Sequence, residues 1–171
     1  GNFPYIRQEL IEKAVKGYKN QLDRVLAEDW LKNYPQGFDK NQTSKLSGQA
    51  DIFAYLFYHS GVFLKEGGRM GIVTSNSYLD VAYGYELQKF FLNNFKIVTI
   101  IESRCEPWFE DVAVNTVVTI LERCSNNSER ENNLVKFIKL KKKLSELIPW
   151  DMKLDFQKRW QGLNLLAHKI E

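Results

Sequence analysis

Three short apolar runs decide most of what this chain can fold into. Residues 70–74, 97–101 and 114–121 are rich in β-branched side chains, and the pair Gly67-Gly68 stands just before the first. Segments of that length and composition read as strands of a buried sheet. Between the first two, residues 83–95 place Leu87, Phe90, Phe91 and Phe95 on one side of a helix. Strand, helix, strand in that order predicts an α/β fold. Residues 134–140 add a candidate fourth strand.

The flanks fit around that centre. From residue 7 to residue 31 apolar side chains recur at intervals of three and four, among them Leu10, Ile11, Leu22, Leu26 and Trp30. That spacing predicts an amphipathic helix, interrupted near Gly17. Residues 33–48 are polar, with Pro35, Gly37 and Gly48, and read as a loop. Asp51 stands as N-cap or first-turn acid for an apolar helix over residues 52–65, which Gly67-Gly68 closes. Residues 104–113 read as a loop and 125–133 as a polar turn. The tail from Lys141, with Trp150 and Trp160, reads as one or two helices. The predicted division is 1–123 as one unit and 124–171 as an added strand and helical tail.

Composition narrows function by exclusion. Hydrophobic residues at 44% and charged residues at 26% of 171 permit a sizeable core and argue against wholesale disorder. Two cysteines, Cys105 and Cys124, are too few for a disulfide framework or a zinc cluster. The two histidines, His59 and His168, stand far apart, so no metal is expected. No apolar stretch approaches the ~18 residues that span a bilayer, and the first residues lack a signal-peptide pattern. The expected location is cytoplasmic. A net charge of +3 neither demands nor opposes a nucleic-acid partner.

The tetrad Asn2-Phe3-Pro4-Tyr5 resembles the Asn-Pro-Pro-Tyr motif of amino-group methyltransferases. The chemistry explains those residue types. An adenine N6 amine is a poor nucleophile because its lone pair is delocalised into the ring. Two acceptors that hold its hydrogens let the nitrogen rehybridise toward a methyl donor. By the resemblance, the Asn2 side-chain oxygen and the Phe3 carbonyl are those acceptors, Pro4 stiffens the turn, and Tyr5 stacks on a base flipped from the duplex. The chain departs from the motif at Phe3, where the family has proline. A backbone carbonyl survives that change, but the pre-set φ and the compact ring do not.

The likeness continues in the same order along residues 1–122. Tyr5-Ile6-Arg7-Gln8-Glu9 is similar to the segment after the motif in large restriction-modification methylases of the type IIG, Eco57I-like kind. Ala50-Asp51-Ile52-Phe53-Ala54-Tyr55 resembles the start of their next helix. Residues 67–79 resemble their fifth strand and its turn, and 83–91 the helix beyond. Residues 109–118 resemble their late motif, in which a phenylalanine precedes the last strand; that match puts Phe109 on the flipped adenine opposite Tyr5. Read without the resemblance, Phe109 is a core residue or part of a surface patch with Trp108, Ser75-Asn76 is equally a strand-end turn or a site wall, and Lys136, Lys139, Lys141, Lys142 and Lys143 are a solvated strand edge and helix start rather than a phosphate site.

The resemblance implies adenine-N6 methylation of double-stranded DNA by S-adenosylmethionine, with Asn2 also beside the cofactor. The family's glycine-rich cofactor loop lies upstream of its tetrad, and none occurs among these residues. The implied fold is therefore a partial Rossmann-like methyltransferase: the last three strands plus helices, the final strand antiparallel between the other two, without the cofactor-binding half. The strand expected beside residues 70–74 is missing, leaving an open edge inclined to self-association. The isolated chain is expected to be inactive, the absent half to be its partner, and target choice to lie beyond residue 171. Two alternatives stay open. One is an RNA-adenine or protein-glutamine methyltransferase, which the long insertion over 7–48 disfavours; the other is a degenerate, non-catalytic DNA-binding or assembly domain.

Overall fold

A computed structural model describes residues 1–33, 46, 50–82, 84–109, 115–148 and 155–170. Most of the predicted loop 33–48, the last four residues of the predicted loop 104–113, Tyr83 and Trp150 lie outside them. The order is α1 (Gln8–Ala14), α2 (Tyr18–Asn33), α3 (Ile52–Val62), β1 (Arg69–Ser75), a 3₁₀ turn (Asn76–Leu79), α4 (Gly84–Asn94) and β2 (Phe95–Ser103). Then follow β3 (Thr116–Arg123), α5 (Asn127–Glu131), β4 (Lys136–Leu140), α6 (Leu144–Leu147) and α7 (Phe156–Ile170). One sheet holds all four strands in the order β1-β3-β2-β4. β3 runs antiparallel to β1 and to β2, and β4 joins β2 in parallel. The α/β class is as the sequence predicted, and the antiparallel strand between two parallel ones is as the resemblance implied.

Local chemistry sets the element ends. The helix predicted over 7–31 is two helices, because Gly17 adopts φ +77° between them. The Glu12 carboxylate accepts from the Gly17 and Lys19 amides at 2.9 and 3.3 Å, which anchors the start of α2 and lowers the Glu12 pKa. α3 stops at Val62, short of residue 65. The chain there turns through Gly67, at φ +72°, and the Gly67 and Arg123 amides tie the turn to β3 at 2.9 and 2.8 Å. The polar stretch 125–133 contains α5, whose N-cap Asn126 accepts from the Glu129 amide at 3.2 Å. An Asn followed three residues later by Glu is a helix-start signature that the polar composition masked.

One face of the sheet carries the core. α3 is buried around most of its girth, with Phe53, Tyr55, Phe57, Tyr58 and Val62 inside, because it lies between α2 and the rest of the core. Phe57 meets Phe91 edge to face at 4.8 Å, and Tyr58 stacks on Phe90 at 3.7 Å between centroids. Trp30 of α2 donates its indole N–H to the Tyr58 carbonyl at 2.9 Å. The Arg123 guanidinium lies 4.9 Å from the Trp30 ring centre and donates to the Asn94 carbonyl at 2.9 Å. Its charge is thus held buried by a ring face and a helix end. Tyr78 and Thr119 share a buried hydroxyl bond of 2.7 Å across the same layer.

The outer edge of β1, expected to be open, is occupied by the first residues. Val73 donates to the Gly1 carbonyl at 2.9 Å, Phe3 donates to Val73 at 3.4 Å, and Asn2 pairs with Val73 in parallel. On the second face, Val73, Val118, Ile101 and Ile138 form a row across the strands. Leu166 and Ala167 of α7 line cavities over that face. Among the described residues no helix is long and apolar enough to cross a membrane.

Gly84 opens α4 against the preceding turn so closely that a Cβ there would strike the Tyr78 carbonyl. Backbone cannot yield as a flexible side chain does. Gly84→Ala is expected to destabilise the domain by roughly 2–3 kcal/mol or more, read as a lower urea midpoint at unchanged slope.

Candidate active site at the carboxyl end of the sheet

The antiparallel placement of β3 makes β1, β2 and β4 point one way, and residues 1–3 pair with β1 in the same sense. Every chain segment that follows a parallel strand therefore emerges at one end. Pro4-Tyr5, the Ser75-Asn76 turn, the stretch from Ser103 to Phe109, and the chain after Leu140 share that end. Crevices outside the carboxyl ends of parallel strands are where α/β sheets bind ligands. The Asn76 amide donates to the Asn115 carbonyl at 2.9 Å, which closes this end beside the start of β3.

The structure brings Tyr5 and Phe109 together although they are far apart in the chain. Their centroids are 5.7 Å apart with planes 61° askew, an edge-to-face contact. A base sandwiched between two rings needs about 7 Å between parallel planes, two contact layers of ~3.5 Å each. The two rings fill one another's place, and the slot is shut. Tyr5 and Phe109 are each half-buried, and burial pushes the Tyr5 pKa up. The Tyr5 hydroxyl is buried without a hydrogen-bond partner among the described residues, as is the Trp108 indole N–H.

Asn2 is exposed at the β1 edge, where its backbone pairs with Val73 and its side chain is open to solvent. Phe3 turns inward and meets Phe57 of α3 edge to face at 5.3 Å. Its ring ties the segment to the core, a role that a proline at this position would fill less well. Pro4, next in the chain, is exposed. Ser75 caps the 3₁₀ turn, its hydroxyl accepting from the Ser77 amide at 3.2 Å.

Sequence reasoning missed what stands behind Phe109. Trp108 and Phe109 line a cavity of about 360 Å³ together with Val73, Val118, Leu140 and Leu144. The last two come from the tail, which no local pattern connected to the tetrad. Glu106 makes that connection by accepting from the Leu144 amide at 2.7 Å, and the Arg104 amide donates to the Leu140 carbonyl at 2.9 Å.

A profile of the family described as Eco57I restriction-modification methylase matches residues 1–109. The chain is 27% identical over 124 residues to the Type II methyltransferase M.BstVI of Geobacillus stearothermophilus, a match covering 71% of this chain and 18% of that protein. The chain thus spans under a fifth of that curated relative's length. Among solved structures, it is similar to the type IIG restriction endonuclease BpuSI, with 21% identity and a TM-score of 0.47 over 63% of this chain and 12% of that one. It is also similar to a Listeria monocytogenes protein assigned to the class I S-adenosylmethionine-dependent methyltransferases, with 16% identity and a TM-score of 0.49 over 81% and 40% of the two chains.

The unpartnered Tyr5 hydroxyl sets up a test of the shut state. Removing a buried polar group that has no partner is neutral or stabilising. Tyr5→Phe is expected to leave thermal stability unchanged or raise it by up to about 1 kcal/mol. A fall of that size instead would show that the hydroxyl is bonded in solution.

Proposed function

The chain belongs to the Eco57I restriction-modification methylase family, and from that premise we propose that its protein transfers a methyl group from S-adenosylmethionine to the N6 amine of adenine in duplex DNA. The observation that carries this reading is the tetrad's placement: Asn2 exposed at the carboxyl end of the sheet, with Tyr5 against Phe109 beside it.

In this reading the target adenine leaves the helix and parts Tyr5 from Phe109, which then grip its two faces. Two ring-on-base stacks take the place of the single edge-to-face pairing, so the substrate itself offsets the opening. The Asn2 amide oxygen and the Phe3 carbonyl accept the two amine hydrogens and turn the nitrogen lone pair outward. The Phe3 ring on Phe57 holds that carbonyl in place through packing, where a proline would act through its fixed φ. S-adenosylmethionine, when bound, supplies an electrophilic methyl on a sulfonium sulfur. Asn2 is the residue of this chain that we place against it, on the ground that it is exposed at the strand-end crevice. Transfer to the nitrogen would break the methyl–sulfur bond, the electron pair leaving on the neutral thioether S-adenosylhomocysteine, and the amine would pass one proton to solvent.

The anchoring of Phe3 favours a working tetrad over a degenerate one, since the substituted residue is built into the core rather than left loose. The test is methyl transfer by the complete protein from labelled cofactor to duplex DNA, with digestion to nucleosides. N6-methyladenine is the expected product. Asn2→Ala is expected to lower the rate by on the order of 10²–10³ with the fold intact by circular dichroism. An Asn2→Ala protein as fast as the parent would sink the assignment, and label recovered on another base would overturn the choice of adenine.

A further inference from the structure

The charge of this chain is unevenly spread. Residues 134–171 hold nine Lys and Arg against four Asp and Glu, while the preceding 133 residues are net −2. Five of the nine lie close together at Lys136, Lys139, Lys141, Lys142 and Lys143, all exposed. β4 is an edge strand, and lysines on an edge strand have an ordinary use in blocking unwanted pairing. That use covers Lys136 and Lys139, the second of which also meets Glu102 at 3.3 Å. It does not cover Lys141, Lys142 and Lys143, which lie past the end of the strand. Among the described residues these three form no ion pair.

Their position in the fold is informative. They follow Leu140 at the carboxyl end of β4, the same end at which Tyr5 and Phe109 meet, and Leu140 and Leu144 on either side of them line the cavity behind Phe109. Lys139, Lys141 and Lys142 rim an open groove of about 440 Å³ that includes Phe137, itself 72% exposed. From residues 1–3 to β4 the sheet is four strand steps wide, or about 19 Å at ~4.8 Å per step. Nucleotides advance ~3.4 Å along each strand of a duplex, so this span is about five or six nucleotides.

We propose that Lys141, Lys142 and Lys143 are a clamp for the phosphate backbone of duplex DNA, gripping it within about half a helical turn of the base held by Tyr5 and Phe109. The proposal rests on the DNA-methylase reading and adds to it a surface that positions the duplex without reading its sequence. Pulling one nucleotide out of a helix needs the flanking backbone held still, and exposed lysines beside the site supply that hold.

The experiment measures binding of the complete protein to a mixed-sequence DNA duplex as a function of salt, without cofactor. Removing one lysine–phosphate pairing lowers the slope of log K against log salt by about 0.9. The K141Q/K142Q/K143Q variant is expected to lower that slope by about 2–3 and to weaken binding on the order of ten- to a hundredfold near 0.15 M salt. A control variant, K13Q/K16Q/K65Q, removes equal charge from three exposed lysines elsewhere. It is expected to keep the parent slope. A clamp variant whose slope matches the parent or the control overturns this inference and leaves the methylase reading standing. A parent protein with no salt-dependent duplex binding overturns the DNA reading, and the clamp with it. Lysine-dependent binding by a protein that methylates nothing upholds the clamp and removes the catalytic reading alone.

Discussion

β3 is the constraint on which the rest depends. It is hydrogen-bonded on both sides, to β1 through seven residue pairs and to β2 through seven, with one register shift near Ile97 and Thr99. Because both neighbours are antiparallel to it, they are parallel to one another, and their following segments are delivered to a single end of the sheet. Had β3 joined at an edge, the segment that leads into it would not lie between β1 and β2. The polar side chains of this strand serve the same end. Thr119 bonds Tyr78, Glu122 bonds both Arg69 and Lys96, and Arg123 is held between two aromatic rings and the end of α4.

The first residues depend on that frame in turn. Two backbone bonds to Val73 lay residues 1–3 along β1, and the Phe3 ring reaches over to α3. Phe3 joins the edge of β1 to the hydrophobic core, so the position of its carbonyl is coupled to packing in α3. Tyr5 and Phe109 pack edge to face, which keeps two half-buried rings partly out of water.

The sequence made several of these features legible for reasons that are local. Apolar β-branched runs of strand length, a helix with Leu87, Phe90 and Phe91 on one side, and a glycine at a break with positive φ all depend on near neighbours in the chain. The limits of the elements were less legible, because they depend on partners elsewhere. α3 ends early where the Gly67 turn is tied to β3, and α5 forms because Asn126 and Glu129 cap a stretch whose composition reads as a turn. The occupied edge of β1 was missed for a related reason. Three residues are too few to carry a period, so nothing in their pattern announced a strand.

By itself, the sequence determined the α/β class and the order of the strands, since these rest on residue type and short-range spacing. Only the tertiary structure decided that Tyr5 packs on Phe109, that Phe3 packs on Phe57, and that Leu140 and Leu144 bring a lysine run to the same end of the sheet. Those facts are contacts between segments many residues apart. They follow from the order in which strands pair, and pairing order is a property of the whole sheet rather than of any one segment.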